Sequence, residues 1–162
     1  MFESGLAFLD EEREAWRPFE ALLDLTDAQL EQPVGAAHGW SGRDLMAHLL
    51  YWLGTWTSVA TELAVNPSSP AFDRLMDEGK NWDAVGDGIN AALRDEWAAL
   101  PMSEVRRRFA EMPGELRGYL TVVPETRWLK DPSRLESLLA NTSDHYAEHM
   151  PDLAAILTAA GR

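Results

Sequence analysis

Apolar residues recur at steps of three and four along most of this chain, the spacing that gathers them on one face of an α-helix. Near the C-terminus the series Leu135, Leu138, Thr142, His145, His149, Leu153, Ile156 marks one such buried stripe. An earlier series, Leu45, His48, Trp52, Trp56, Val59, Leu63, marks another. No sustained alternation of apolar and polar residues occurs, so strands are not expected and an all-α fold follows.

The punctuation between these stripes sets the expected elements. Helix one covers about residues 5–25, with Leu6, Leu9, Trp16, Leu22 and Leu23 inward and Pro18 forcing a kink or restart. The second begins at Gly39-Trp40-Ser41: Ser41 caps, Asp44 falls three residues on, and Trp40 staples onto Leu45. It ends near Ala64, before the turn-rich Asn66-Pro67-Ser68-Ser69-Pro70, leaving residues 65–82 as the longest irregular connection. Helical spacing returns from about Ala84 to Ala99 through Ile89, Leu93 and Trp97, until Pro101 stops it and Ser103 caps another helix. Pro113-Gly114 kinks or breaks that helix before Leu116, Tyr119 and Leu120. In the last helix Asp131 is the cap, Pro132 the first helical residue, and Gly161 stands just past the end. Four principal helices suit an antiparallel bundle forming a single domain over residues 1–162.

Composition narrows the function classes. A chain of 162 residues buries roughly 70% of its unfolded surface without staples, so it is expected to fold before any ion binds. Its apolar runs fall well short of a membrane span. The start, Met1-Phe2-Glu3-Ser4, lacks the basic and apolar stretches of a secretory signal, which makes the cytoplasm the expected compartment. A formal net charge of −13 argues against nucleic acid as a partner. The acidic surplus is spread along the chain, as at Asp10-Glu11-Glu12 and Glu14, and reads as a solvated surface. With no cysteine, any metal must be held by nitrogen and oxygen.

The histidines then become the candidate chemistry. His145 and His149, four residues apart on a helix, stand about 5–6 Å apart at Cβ and can share an ion, as in HExxH zinc helices. Alone, such a pair often faces solvent, and His48 alone reads as a core histidine. Together they change the balance, because each buried unpartnered imidazole costs about 1–3 kcal/mol and one metal ion compensates all three. Three neutral imidazoles leave an open position on Zn²⁺, Ni²⁺ or a similar divalent ion, the arrangement of a catalytic site. Affinity is then expected to fall as pH drops through roughly 6.5.

Asp44 and Asn141 lie one turn before His48 and His145, where either can hold an imidazole by a hydrogen bond, although capping competes for Asp44. Glu148 and Asp144 point about 100° away from the pair, which weakens them as general bases. Trp52 and Trp56 share the His48 face and are candidate walls of a substrate pocket, with core packing as the competing reading. His38 reads as surface. Gly86-Asp87-Gly88 is too short to cradle a phosphate, and no nucleophile elbow occurs.

Two segments carry a family resemblance. Gly39-Trp40-Ser41-Gly42-Arg43-Asp44-Leu45-Met46-Ala47-His48 resembles the helix-two signature of DinB-like proteins, and Asn141-Thr142-Ser143-Asp144-His145-Tyr146-Ala147-Glu148-His149-Met150-Pro151-Asp152-Leu153 resembles their last helix. The resemblance implies a DinB-like four-helix bundle of up-down-down-up topology with its metal triad on His48, His145 and His149. That superfamily includes the mycothiol maleylpyruvate isomerase domain and bacillithiol transferases, members without known activity, and a toxin-resistance branch lacking the triad. The open position on a divalent ion held by the three histidines suits hydrolysis or thiol transfer on a small-molecule substrate, and the resemblance favours a thiol transferase or isomerase with a low-molecular-weight thiol as cosubstrate; a homodimer is an admissible assembly. The alternative is a small-molecule binding or sequestering protein without catalysis.

Overall fold

Ser41 starts the longest helix, α3 (Gly42–Val65), by a reciprocal exchange: its Oγ accepts from Asp44 N at 3.2 Å while the Asp44 carboxylate accepts from Ser41 N at 2.8 Å. The computed structural model describes residues 2–162. Before α3 come α1 (Gly5–Trp16), a 3-10 segment over Arg17–Asp24, and the single turn α2 (Asp27–Leu30). After it come α4 (Pro70–Lys80), α5 (Trp82–Ala98), α6 (Met102–Val122), α7 (Pro132–Asn141) and α8 (Ser143–Ala159). The described residues contain no strand, and none of their helices is long and apolar enough to cross a membrane.

α3 is the hub, burying Leu45, Leu49, Leu53, Trp56, Val59 and Leu63 along its length. Its principal neighbour is α6: Gly54 faces Met112, with room for a Cβ only 3.3 Å from the Met112 methyl, and further along Thr57 shares a groove with Gly118 and Tyr119. At the centre, Trp16 of α1 meets Phe109 of α6 at 4.8 Å between ring centroids and Tyr146 of α8 at 5.3 Å. Glu12 is buried among them at 1% exposure, accepting from the Tyr146 hydroxyl at 3.0 Å and from Arg117 Nε at 2.5 Å. A carboxylate so deep is tolerable because both its oxygens are paired.

Several expected boundaries differ, each for a local reason. Pro18 restarts helix one as a 3-10 segment, and Leu6, expected inward, is exposed. The connection expected to be irregular contains α4, because Ser69-Pro70 is a start signal: Ser69 Oγ accepts from Phe72 N at 3.1 Å, and Pro70 occupies a first-turn position where its missing N–H is no loss. Phe72 and Leu75 are the apolar face it buries. α6 begins after Pro101 without a Ser103 cap and runs through Pro113, whose ring is buried in line with Phe109, Leu116 and Leu120; that packing offsets the lost hydrogen bond. The last helix has the expected Asp131 cap, Pro132 start and terminal Gly161 at φ +80°, but divides at Thr142 (φ −127°, ψ −101°). There Thr142 Oγ1 donates back to Leu138 O at 2.6 Å, while its carbonyl accepts from Tyr146 N to open α8.

Two measurements check this account of the core. Chelated protein is expected to keep its helical circular dichroism, since the apolar contacts above involve no ion; loss of most helicity would make the metal a folding element. Glu12→Ala, which strands the Arg117 guanidinium in the interior, is expected to lower urea stability by about 3 kcal/mol, and Glu12→Gln by distinctly less.

Candidate metal centre

The two stripes that carry histidines meet. α3 supplies His48 and α8 supplies His145 and His149 one turn apart, and a ring nitrogen of each lies within 4.8 Å of the others. His48 Nε2 and His145 Nε2 are 2.8 Å apart, and the ring centroids are separated by 4.6 to 4.9 Å. The remaining nitrogens point outward to oxygen. His48 Nδ1 donates to Asn90 Oδ1 at 3.0 Å, His149 Nδ1 donates to Asp152 Oδ2 at 2.8 Å, and His145 Nδ1 stands 3.6 Å from Glu148 Oε2. Protons held on Nδ1 of His48 and His149 by acceptor-only oxygens leave their Nε2 lone pairs available to a cation.

Burial, followed by the charge of His149, lowers the His48 pKa from 6.5 to about 4. Burial, followed by the charges of His48 and His149, lowers that of His145 to about 3. Both rings are therefore neutral at pH 7, the form that binds metals. Without an ion, the His48 Nε2 lone pair can accept only from His145 Nε2, a single proton where three rings converge. A donor set of neutral imidazoles fits a borderline divalent ion such as Zn²⁺ or Ni²⁺ and leaves coordination positions for other ligands.

Aromatic rings close the site. Trp40 stacks on His149 at 5.6 Å and 23° and lies 4.9 Å from His48, so the residue that precedes the α3 cap covers two histidines. Trp52 lies 5.7 Å from His145 and 5.3 Å from Trp82. Beside His145 opens a cavity of about 530 Å³ with Trp52, Leu75, Met76 and Trp82 as apolar walls. Trp56 is not a wall: it is fully buried one turn further along α3, against Phe72 at 6.0 Å.

The imidazole partners expected from the sequence are also redistributed. The Asp44 carboxylate is engaged in the α3 cap, and Asn141 Nδ2 donates to Ser137 O at 2.6 Å while its side chain borders the cavity. Asn90 and Asp152 hold the rings instead. Asp152, 4% exposed, was readable as a carboxylate three residues after His149 on the same helix; Asn90 arrives from α5, with no local signal. Glu148 does approach the centre, by that same three-residue spacing to His145. His38 is 80% exposed, as expected of a surface residue, in a left-handed conformation at φ 57° with its Nε2 3.7 Å from Asp152 Oδ1.

The lowered pKa values alter the pH behaviour expected from three ordinary imidazoles. His48 and His145 bind protons more weakly folded than unfolded, so their contribution to stability is complete above pH 6.5 and is lost as pH falls toward about 4 and 3. Metal-free protein is expected to lose stability across that window, with the loss reduced in His145→Gln. Zinc binding at pH 6 is expected to release at most about one proton per ion, measured by calorimetry in buffers of different ionisation enthalpy; three unperturbed histidines would release about two or more.

Comparison with known proteins places this geometry in a family. A profile described as the mycothiol maleylpyruvate isomerase N-terminal domain matches residues 12–150, a span that includes Glu12, the α3 stripe and all three histidines. No curated protein and no solved structure matches the chain. With most of its length matched, the chain belongs to the mycothiol maleylpyruvate isomerase N-terminal domain family, part of the DinB-like superfamily.

Proposed function

We propose that this chain is a single helical domain that binds one divalent ion, zinc or nickel, through His48, His145 and His149 and uses it to transfer a low-molecular-weight thiol to a small molecule, or to isomerise one. The observation that carries the reading is the convergence of three ring nitrogens, one of them on His145, which also lines a cavity. When bound, the ion supplies Lewis acidity that lowers the pKa of a thiol or water beside it. The protein's own groups do the rest. Asn90 and Asp152 fix the tautomers of His48 and His149, Trp40 shields the His149 ring from water, and Trp52 bounds the space where a substrate sits. With no cysteine in the sequence, the thiol must come from outside, and the family's name supports mycothiol as its class. Hydrolysis by the same centre is the alternative chemistry.

The DinB-like up-down-down-up bundle is part of the same proposal. Its support is the direction of α6 beside α3: Leu50 and Arg108 border one groove, Gly54 meets Met112, and Thr57 borders the next groove with Gly118. Residue numbers rise together along both helices, so they run parallel, and parallel neighbours need a long crossover. α4 and α5 provide it.

Untagged protein is expected to carry one zinc or nickel per chain by mass spectrometry, lost in His48→Ala and His149→Ala. Transfer assays with mycothiol, bacillithiol and glutathione on electrophiles, beside a panel of esters and amides, are expected to show activity that chelation abolishes and the ion restores. Activity that survives chelation overturns the mechanism. No activity together with tight uptake of an apolar compound, which the walls of the cavity favour, would identify a sequestering protein instead.

A further inference from the structure

Charge is distributed unevenly around the cavity beside His145. Its walls are Trp52, Leu75, Met76 and Trp82, and its edge carries two carboxylates, Glu78 and Glu148. Glu78 is half-buried, accepting from the Tyr51 hydroxyl at 3.3 Å, and burial, followed by the Glu78 charge, raises the Tyr51 pKa. Among the residues lining the cavity, Lys80 is the one permanent cation; its chain is largely exposed and its ammonium donates to Asp77 at 2.8 Å. No arginine borders the space, so nothing there offers the paired donors that hold a carboxylate or phosphate. With no ion at the histidines, an anion entering would meet apolar walls and two carboxylates against one exposed ammonium.

The aromatic walls have a defined geometry. Trp52 and Trp82 are 5.3 Å apart between centroids and inclined at 54°, an arrangement that offers ring faces and edges to a flat guest. The position of Trp82 depends on Gly86, one turn further along α5. A Cβ at Gly86 would stand 2.7 Å from Trp82 Cε2 and 3.0 Å from Trp82 Nε1, so any larger residue displaces the indole. Gly86 is buried beneath that ring, although alanine is the better helix former at this place.

We infer that the cavity takes an uncharged, flat, apolar ring compound, seated against Trp52 and Trp82, with Gly86 setting the wall and with Glu78 and Glu148 disfavouring anions while the histidines hold no ion. The inference deepens the metal-site reading by naming its substrate class, and relies on that reading for the chemistry but not for the binding. The probes are 2-naphthol and 2-naphthoate, which share one ring system and differ in charge at pH 7. Calorimetry on chelated protein is expected to show naphthol binding at least about tenfold more tightly than naphthoate. Trp82→Ala and Gly86→Ala are each expected to weaken naphthol by about tenfold or more with helicity retained, and Trp82→Phe to weaken it less. Glu78→Gln keeps the acceptor for Tyr51, leaves naphthol unchanged and strengthens naphthoate about threefold. Naphthoate binding as tightly as naphthol to the chelated protein overturns the inference, and so does naphthol binding that ignores both Trp82→Ala and Gly86→Ala. A zinc titration on the same samples separates the two readings. Naphthol bound without stoichiometric zinc sustains this one and refutes the metal site, while zinc bound without naphthol does the reverse.

Discussion

His48 and His145 can share a buried corner with His149 only if both are neutral and only if each outward nitrogen faces an acceptor. That requirement reaches well beyond the histidines. Burial lowers His48 and His145 far enough that protonation cannot relieve the crowding near pH 7. The Nδ1 atoms of His48 and His149 therefore face oxygen, supplied by Asn90 on α5 and by Asp152 on α8 itself, while Glu148 stands near that of His145. Through Asn90, the placement of α5 against α3 becomes part of the centre's electrostatics, and the Trp40 ring closes over His149 ahead of the α3 cap.

α8 answers to two interiors at once. On one side it presents His145 and His149; on the other, Tyr146 reaches Glu12 and packs on Trp16. The Glu12 carboxylate is held in turn by Arg117 of α6. A rotation of α8 about its axis would lose both sets of partners together, so packing of the apolar core and convergence of the ring nitrogens fix the same angle. The division at Thr142 lets α8 satisfy that angle without carrying α7 along with it.

The stripes containing His48, His145 and His149 were legible in the sequence because a periodicity of three and four residues reports a face directly, and the Ser41, Asp131 and Pro132 start signals report local backbone chemistry. What stayed hidden depended on distant partners. Asn90 becomes relevant only once α5 crosses α3, forty-two residues after His48. Ser69-Pro70 can end one helix or begin another, and the apolar face of Phe72 and Leu75 decides between them only when α3 is there to receive it. Pro113 reads as a break because a single missing N–H is visible in sequence, while the burial of its ring is not. Trp52 and Trp56 sit on one stripe at one spacing; that Trp52 borders the cavity and Trp56 the core follows from where α4 ends.

The long crossover between α3 and α6 gives the architecture a division of labour. The three histidines belong to α3 and α8, whereas most of the cavity's apolar wall and the aromatic ring set by Gly86 belong to α4 and α5. α5 counts Gly86 and Trp97 as its buried residues, yet it packs along α3 and reaches His48 through Asn90, so the positions free to change are those away from these contacts. The wall of the cavity can therefore change on α4 and α5 while α3 and α8 keep the histidines in place, so long as Asn90 stays opposite His48.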